Sequence, residues 1–337
     1  MTSPRFGFFF WPYTPEYTAR MASLGESLGW DLVGIADTPG NAMDVWVALA
    51  LAAGRTERVP LAACVTNFVT RAPAITASAA ASVDAMSGGR FILGVGTGHS
   101  GVTNVGAVTS TAEVFRRRLA FTRSLLAGEP ATLDGATTRL PGLARPVPVY
   151  AAGSGPAALR TAGALADGVF VNYGLGAAHV TRARGLVREG AQTAGRPADD
   201  VDVWWIACLD VAERREVALD KLGNILGFVA AYVVGPAPER RDVPVDLIPA
   251  IRELRASYTT HRAQMDPGLT RRLGVFDYLR GRLAVAGTPE DCLAQVSAAL
   301  DAGARNLMFT VSLAADPVRT VELFGREVLP ALRERYA

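Results

Sequence analysis

Short apolar runs alternate with longer stretches of helical periodicity along almost the whole chain. The runs are Phe6–Trp11, Leu32–Asp37, Pro60–Thr66, Arg90–Thr97, Val147–Gly153, Gly168–Tyr173, Val201–Asp210 and Asn306–Ser312. Most are continuously apolar rather than alternating, as in parallel strands buried on both faces. Between them, apolar residues recur three and four apart in Pro15–Gly29, Asp44–Gly54, Pro73–Met86, Ala112–Ala127, Pro156–Ala166, Ala177–Ala194, Pro289–Ala302 and Pro317–Arg333. Eight strand–helix units predict an α/β fold of the (β/α)8 TIM-barrel type, since eight is the count that closes such a barrel. A doubly wound sheet is the competing arrangement.

One interval breaks the rhythm. About 95 residues separate the seventh run from the eighth, far more than an ordinary connection. Its helical pieces, punctuated by prolines and charges, predict a helical insertion over about residues 211–285 of a single domain spanning 1–337. At the C-terminal face of a barrel it would roof a pocket or supply dimer contacts.

Composition narrows the partners. Of 337 residues half are apolar, enough for a large buried core, and the formal charge is only +2 with no basic block. Nucleic acid and anionic membranes are not implied. Cys64, Cys208 and Cys292 are odd in number and widely spaced, as expected of reduced thiols in a cytoplasmic protein. The N-terminus has no secretory pattern, and no apolar run reaches the roughly 18 residues of a membrane span.

In such a barrel, chemistry sits at the C-terminal ends of the strands. Those ends carry few charges, chiefly Asp37, His99 and Asp210. Lys221, the sole lysine, falls in a helical stretch after the seventh run, which argues against a Schiff-base aldolase. His99, His179 and His261 are isolated, so no metal cluster is implied. Strands three to six end without carboxylates, against an enolase-type magnesium site, and only Asp37 with Asp210 would serve a glycosidase.

The strand ends instead offer glycine, hydroxyls, amides and aromatics. GVGTGHS lets the main chain approach a ligand after strand four, and Gly153, Ser154, Gly155 and Pro156 open a helix after strand five. Free amides at a helix start favour a phosphate. GVGTGH lacks the third glycine and the distal acid of a dinucleotide fingerprint. Phosphate-friendly turns, aromatic Phe10, Trp11 and Tyr173, and scarce acids suggest that a bound cofactor carries the reaction.

VTNFVTRAPAITASAAASVDAMSGGRFILGVGTG, SGPAALRTAGALADGV and AGTPEDC together resemble the luciferase-like (LLM class) superfamily of flavin- and F420-dependent oxidoreductases. The likeness spans Phe6 to about Leu332 and is closest to the methylenetetrahydromethanopterin reductase-like branch. The resemblance implies coenzyme F420, with FMN as the alternative, and hydride transfer to or from a small organic substrate. The competing functions are an FMNH2-dependent monooxygenase and a non-catalytic cofactor-binding subunit. Implied partners are a second copy in a homodimer and a separate cofactor reductase.

By position, Cys64-Val65 matches the family's bulge, often a non-proline cis peptide, beneath the ring. Thr66 and Asn67 would contact the ring, Thr97, Gly98 and His99 would border it, and Gly153–Pro156 would hold the phosphate. Asn172 and Tyr173 would line the next loop, and Phe10 and Trp11 the substrate pocket. Asp37, Thr38, His99 and Asn67 are the catalytic candidates. The family's histidine after strand two is replaced by Thr38, which cannot serve as an acid–base group near neutral pH. His99 could substitute for it. The pterin reductases carry an acid near the end of strand one where this chain has Phe9, Phe10 and Trp11, so the likeness does not extend to the pterin.

Overall fold

The computed structural model describes residues 3–337. Eight parallel strands close into a barrel: β1 (Arg5–Phe10), β2 (Leu32–Ile35), β3 (Leu61–Asn67), β4 (Phe91–Gly96), β5 (Val149–Gly153), β6 (Gly168–Val171), β7 (Asp202–Val211) and β8 (Asn306–Thr310). Each pairs with its neighbours in sequence, and the seam closes where Arg5 to Phe9 of β1 register against Asn306 to Thr310 of β8. The doubly wound alternative is thereby excluded.

The surrounding helices start where the sequence signals them. They are α1 (Pro15–Ser27), α2 (Val45–Ala53), α3 (Pro73–Met86), α4 (Ala112–Leu126), α5 (Pro156–Leu165) and α6 (Ala177–Thr193). Proline occupies the first turn of α1, α3 and α5, where its missing N–H costs no hydrogen bond. Asp44 caps α2 through bonds from the Trp46 and Val47 amides.

Residues between β7 and β8 form the expected helical insertion, built around α7 (Leu222–Val233), α8 (Ile248–Ser257) and α9 (Phe276–Leu283). Its apolar faces form a second core with Trp11, Ala36 and Cys208 at the strand ends, which fixes it over that end of the barrel. It is followed by a four-residue strand, Ala284–Gly287, that the sequence reading missed. That strand adds in parallel to Cys208–Val211 of β7, alongside the part of β7 beyond its pairing with β6. Then come α10 (Pro289–Asp301), opened by a Thr288/Asp291 capping box, and α11 (Pro317–Leu323) after β8. An exposed hairpin, Ala131–Leu133 with Ala136–Thr138, was also missed.

Inside the barrel, Phe170, Trp204, Ile206 and Met308 pack with Leu32, Ala62, Cys64 and Tyr150. The end opposite the insertion is closed by polar groups around Asp202. It pairs with Arg5 and accepts bonds from the Tyr150 hydroxyl (2.6 Å), Trp204 Nε1 (2.9 Å) and Asn306 Nδ2 (3.1 Å). Cys64, Cys208 and Cys292 are buried and unpaired. No helix among the described residues is long and apolar enough to cross a membrane.

Candidate active site

A cavity of about 390 Å³ opens at the C-terminal ends of the strands, a size typical of small-molecule sites. Phe9, Cys64, Val65, Ala152 and Ile206 border it from the barrel interior and form its floor. The Cys64–Val65 peptide is cis, and the β3–β4 register shifts between Ala63 and Thr66. Both features fall where the resemblance placed a bulge.

The strand-end walls are mostly polar and uncharged, with Asp37 the one carboxyl among them. The Asn67 carbonyl accepts bonds from the Val69 (2.8 Å) and Thr70 (2.9 Å) amides, so it stiffens the turn after β3. Its Nδ2 makes no hydrogen bond among the described residues. Thr38, fully buried, donates to Ser100 Oγ (3.1 Å) and accepts from Asn41 Nδ2. Gly98 sits at φ +95°, and a Cβ there would lie 2.3 Å from Val102 Cγ2, so only glycine lets the backbone take this path. Gly153, Ser154 and Asn172 complete the far wall, and Asn172 Nδ2 donates to the Tyr232 hydroxyl (3.1 Å).

Two titratable groups at the strand ends face this space. Asp37 accepts from Thr66 Oγ1 at 2.6 Å. Burial lifts its carboxyl above the usual range, opposed by the Thr66 bond. His99 lies between insertion aromatics, with its ring 4.6 Å from Tyr232 and stacked parallel to Tyr258 at 5.7 Å. Its Nε2 is 2.6 Å from the Tyr258 hydroxyl, while Nδ1 is buried with no partner. Burial, and then the neighbouring Arg255 charge, bring the imidazole down to about 4, so it is neutral at pH 7.

The structure therefore brings Asp37, Thr38, Cys64, Val65, Thr66, Asn67, Thr97, Gly98, His99, Gly153, Ser154, Asn172 and Trp11 to one cavity. Phe10 and Tyr173 are corrections. Successive strand residues point to opposite faces, so Phe9 lines the cavity while Phe10 turns outward against Tyr17 of α1 (5.6 Å, 88°). Tyr173 likewise turns away, and its hydroxyl donates to Asp242 at 2.9 Å. Gly155 and Pro156 lie just beyond the wall at the start of α5. A Cβ on Gly155 would sit 2.4 Å from the Arg241 guanidinium, so this glycine admits an arginine that sequence reasoning missed. Asp210 is outside the cavity, bonded to the Ala315 amide at 2.8 Å.

The roof was anticipated only as a segment. Phe228, Ala231, Tyr232, Pro236, Arg255 and Tyr258 of the insertion all line the cavity. Phe228 and Tyr232 are four apart on an otherwise aliphatic helix, a spacing that puts both rings on one face and could have flagged them. No group of three or more His, Cys, Asp or Glu among the described residues could hold a metal.

A family model for luciferase-like monooxygenases matches residues 7–306. The chain belongs to the luciferase-like monooxygenase family. Within this family it is 31% identical over 339 residues to 5,10-methylenetetrahydromethanopterin reductase of Methanolobus tindarius, covering 96% of this chain and 99% of that one. It is 29% identical to F420-dependent glucose-6-phosphate dehydrogenase of Nakamurella multipartita, with 95% and 94% covered. The structure of the coenzyme F420-dependent tetrahydromethanopterin reductase from Methanopyrus kandleri aligns with a TM-score of 0.75 at 24% identity, covering 98% of this chain and all of that one. That last likeness speaks for the fold.

Proposed function

We propose that the protein is an F420-dependent oxidoreductase that moves a hydride between the deazaflavin and a small organic substrate. One observation carries the reading. The cavity offers one carboxylate, Asp37, and one imidazole, His99, amid glycine backbone, hydroxyls and amides, so it suits a group that brings its own redox chemistry. The residues fit such a group. The glycine-shaped wall at Gly96–Gly98 admits a flat ring system above the Cys64–Val65 floor. The uncapped start of α5, with Arg241 against Gly155, presents amides and a guanidinium to a phosphate.

When bound, the deazaflavin supplies a two-electron hydride carrier. The chain's own residues do the rest. Thr66 and the unspent Nδ2 of Asn67 orient polar edges at the floor. Trp11, Phe228 and Tyr232 exclude water from the roof, which fixes the distance between reacting atoms. Asp37 and the neutral His99, backed by Tyr258, are placed to hold or release the proton that accompanies hydride transfer. Thr38 acts by fixing Ser100 rather than by titrating.

The name of the N. multipartita relative supports F420, and the family's own description supports a monooxygenase, which we read as using reduced FMN, as the second reading. We place the protein in the cytoplasm as a homodimer. Helix α2 is apolar on almost every position and exposes Val47, and α3 beside it exposes Ile75, a surface suited to a second copy. The test is a titration of the purified protein with F420 and FMN, oxidised and reduced, followed by fluorescence. Micromolar or tighter F420 binding with FMN at least about tenfold weaker upholds the proposal. The reverse preference transfers the assignment to the monooxygenase, and tight binding without turnover of any hydride acceptor to a binding subunit.

A further inference from the structure

Arg255 is the one cation among the cavity-lining side chains, apart from the neutral His99. It stands in the last turn of α8, and its Cδ would lie 3.0 Å from a Cβ on Gly235, so its stem is laid across that glycine on the roof. No carboxylate among the described residues pairs with it. Three acids of the insertion are engaged by other arginines: Glu239 by Arg252, Asp242 by Arg182 and Asp266 by Arg272.

Arg241, also without a carboxylate partner among the described residues, donates to the Val233 carbonyl at 2.9 Å and packs against Gly155. Arg241 lies against the start of α5, next to Gly153 and Ser154 of the cavity wall, and within reach of the Arg255 charge, and no carboxylate among the described residues bonds to either guanidinium. Like charges held together in a partly dry site repel, and an anion relieves them. The cofactor phosphate assigned to α5 and Arg241 answers one guanidinium and leaves the other.

We propose that Arg255 is the anchor for an anionic group, a carboxylate or phosphate, on the substrate, making it the residue that selects organic acids or phosphate esters over neutral molecules. The inference rests on the reading of the cavity as a cofactor site with its phosphate at Gly153–Pro156. A planar guanidinium suits either anion because it offers paired N–H donors. Anion binding also has a local consequence. His99 is faced by Tyr232 from α7, by Arg255 from α8 and by Tyr258 just beyond that helix, and Arg255 is the only charge among them. Its neutralisation returns proton affinity to His99 when the substrate is in place.

The chain has three histidines, so their ring Cε1–H resonances are separable, and the variant H99Q assigns His99. The probe is inorganic phosphate, added to the F420-loaded protein. The expected result is a saturable shift of the His99 resonance with its titration midpoint raised by about one pH unit. Arg255→Gln weakens the phosphate response at least about tenfold, Arg255→Lys weakens it less, and F420 affinity stays within twofold in both.

The anchor is refuted if phosphate leaves His99 unmoved, or moves it equally in Arg255→Gln. It is also refuted if Arg255→Gln weakens F420 but not the tail-less deazaflavin chromophore, for then Arg255 holds the cofactor's own anionic tail. If F420 fails to bind at all, the cofactor reading falls by itself. The same titration on the unloaded protein then decides for or against Arg255.

Discussion

Asp210, at the C-terminal end of β7, is 1% exposed and carries no ion pair among the described residues. Burial raises its carboxyl to about 7 from 3.8, against the bonds from the Ala315 amide and the Thr320 hydroxyl. The native state thus holds the proton more tightly than the unfolded chain. An acid raised in this way contributes a stability that is intact below the unfolded value of about 4. It is lost progressively as pH rises towards 7, and the loss is complete above it. A rise of about three pH units corresponds to about 4 kcal/mol. Asp210→Asn removes the charge while keeping an oxygen for the Ala315 amide. The variant should be more stable than wild type by about 2–4 kcal/mol at pH 8, and differ by less than about 1 kcal/mol at pH 4.5. Urea unfolding at fixed ionic strength, followed by the fluorescence of the five tryptophans, gives the difference between the two chains at each pH. Comparing the chains cancels every other titrating group. A difference that stays flat from pH 4.5 to 8, or a variant less stable at pH 8, would refute the reasoning.

Gly155→Ala drives a Cβ into the Arg241 guanidinium and should weaken F420 at least tenfold while leaving the tail-less chromophore unaffected, measured by fluorescence titration. Asn67→Ala frees the Val69 and Thr70 amides. We expect a loss of about 1–2 kcal/mol in denaturant unfolding, together with weaker binding of both cofactor and chromophore. Tyr232→Phe strips Asn172 of its acceptor and costs about 1–2 kcal/mol, and an unchanged unfolding midpoint would argue against that bond. Tyr258→Phe should slow turnover more than it changes KM and should alter the pH profile on the limb set by His99, whereas a merely structural role predicts an unshifted profile.

The barrel was legible because most of its strands are buried on both faces and so read as nearly uninterrupted apolar runs, with proline marking many helix starts. The cavity's strand-end residues were legible for a related reason, since topology puts every strand end at one face. What escaped has physical causes. Three consecutive phenylalanines carry no alternation, so nothing in Phe8–Phe9–Phe10 tells which ring points inward. The strand Ala284–Gly287 is four small residues directly after a helix, too short to show a period. Tyr173 is set by its bond to Asp242, and the roof by contacts between Tyr258 and His99 more than a hundred residues apart, which no local pattern encodes.

The seam between β1 and β8 joins residues about 300 apart, with Arg5 and Asn306 bonded across it. Beyond it, the Tyr13 hydroxyl donates to the Ser312 carbonyl at 2.5 Å, fixing the first strand end to the last. A chain leaving the ribosome exposes β1 before the other strands and completes β8 only after the other seven have been made. Phe9 of the floor cannot be held in register before then, however early the middle strands pair. Synthesis therefore precedes loading: a nascent or C-terminally truncated chain has the loops of the site without the vessel, and the cofactor waits for the finished ring.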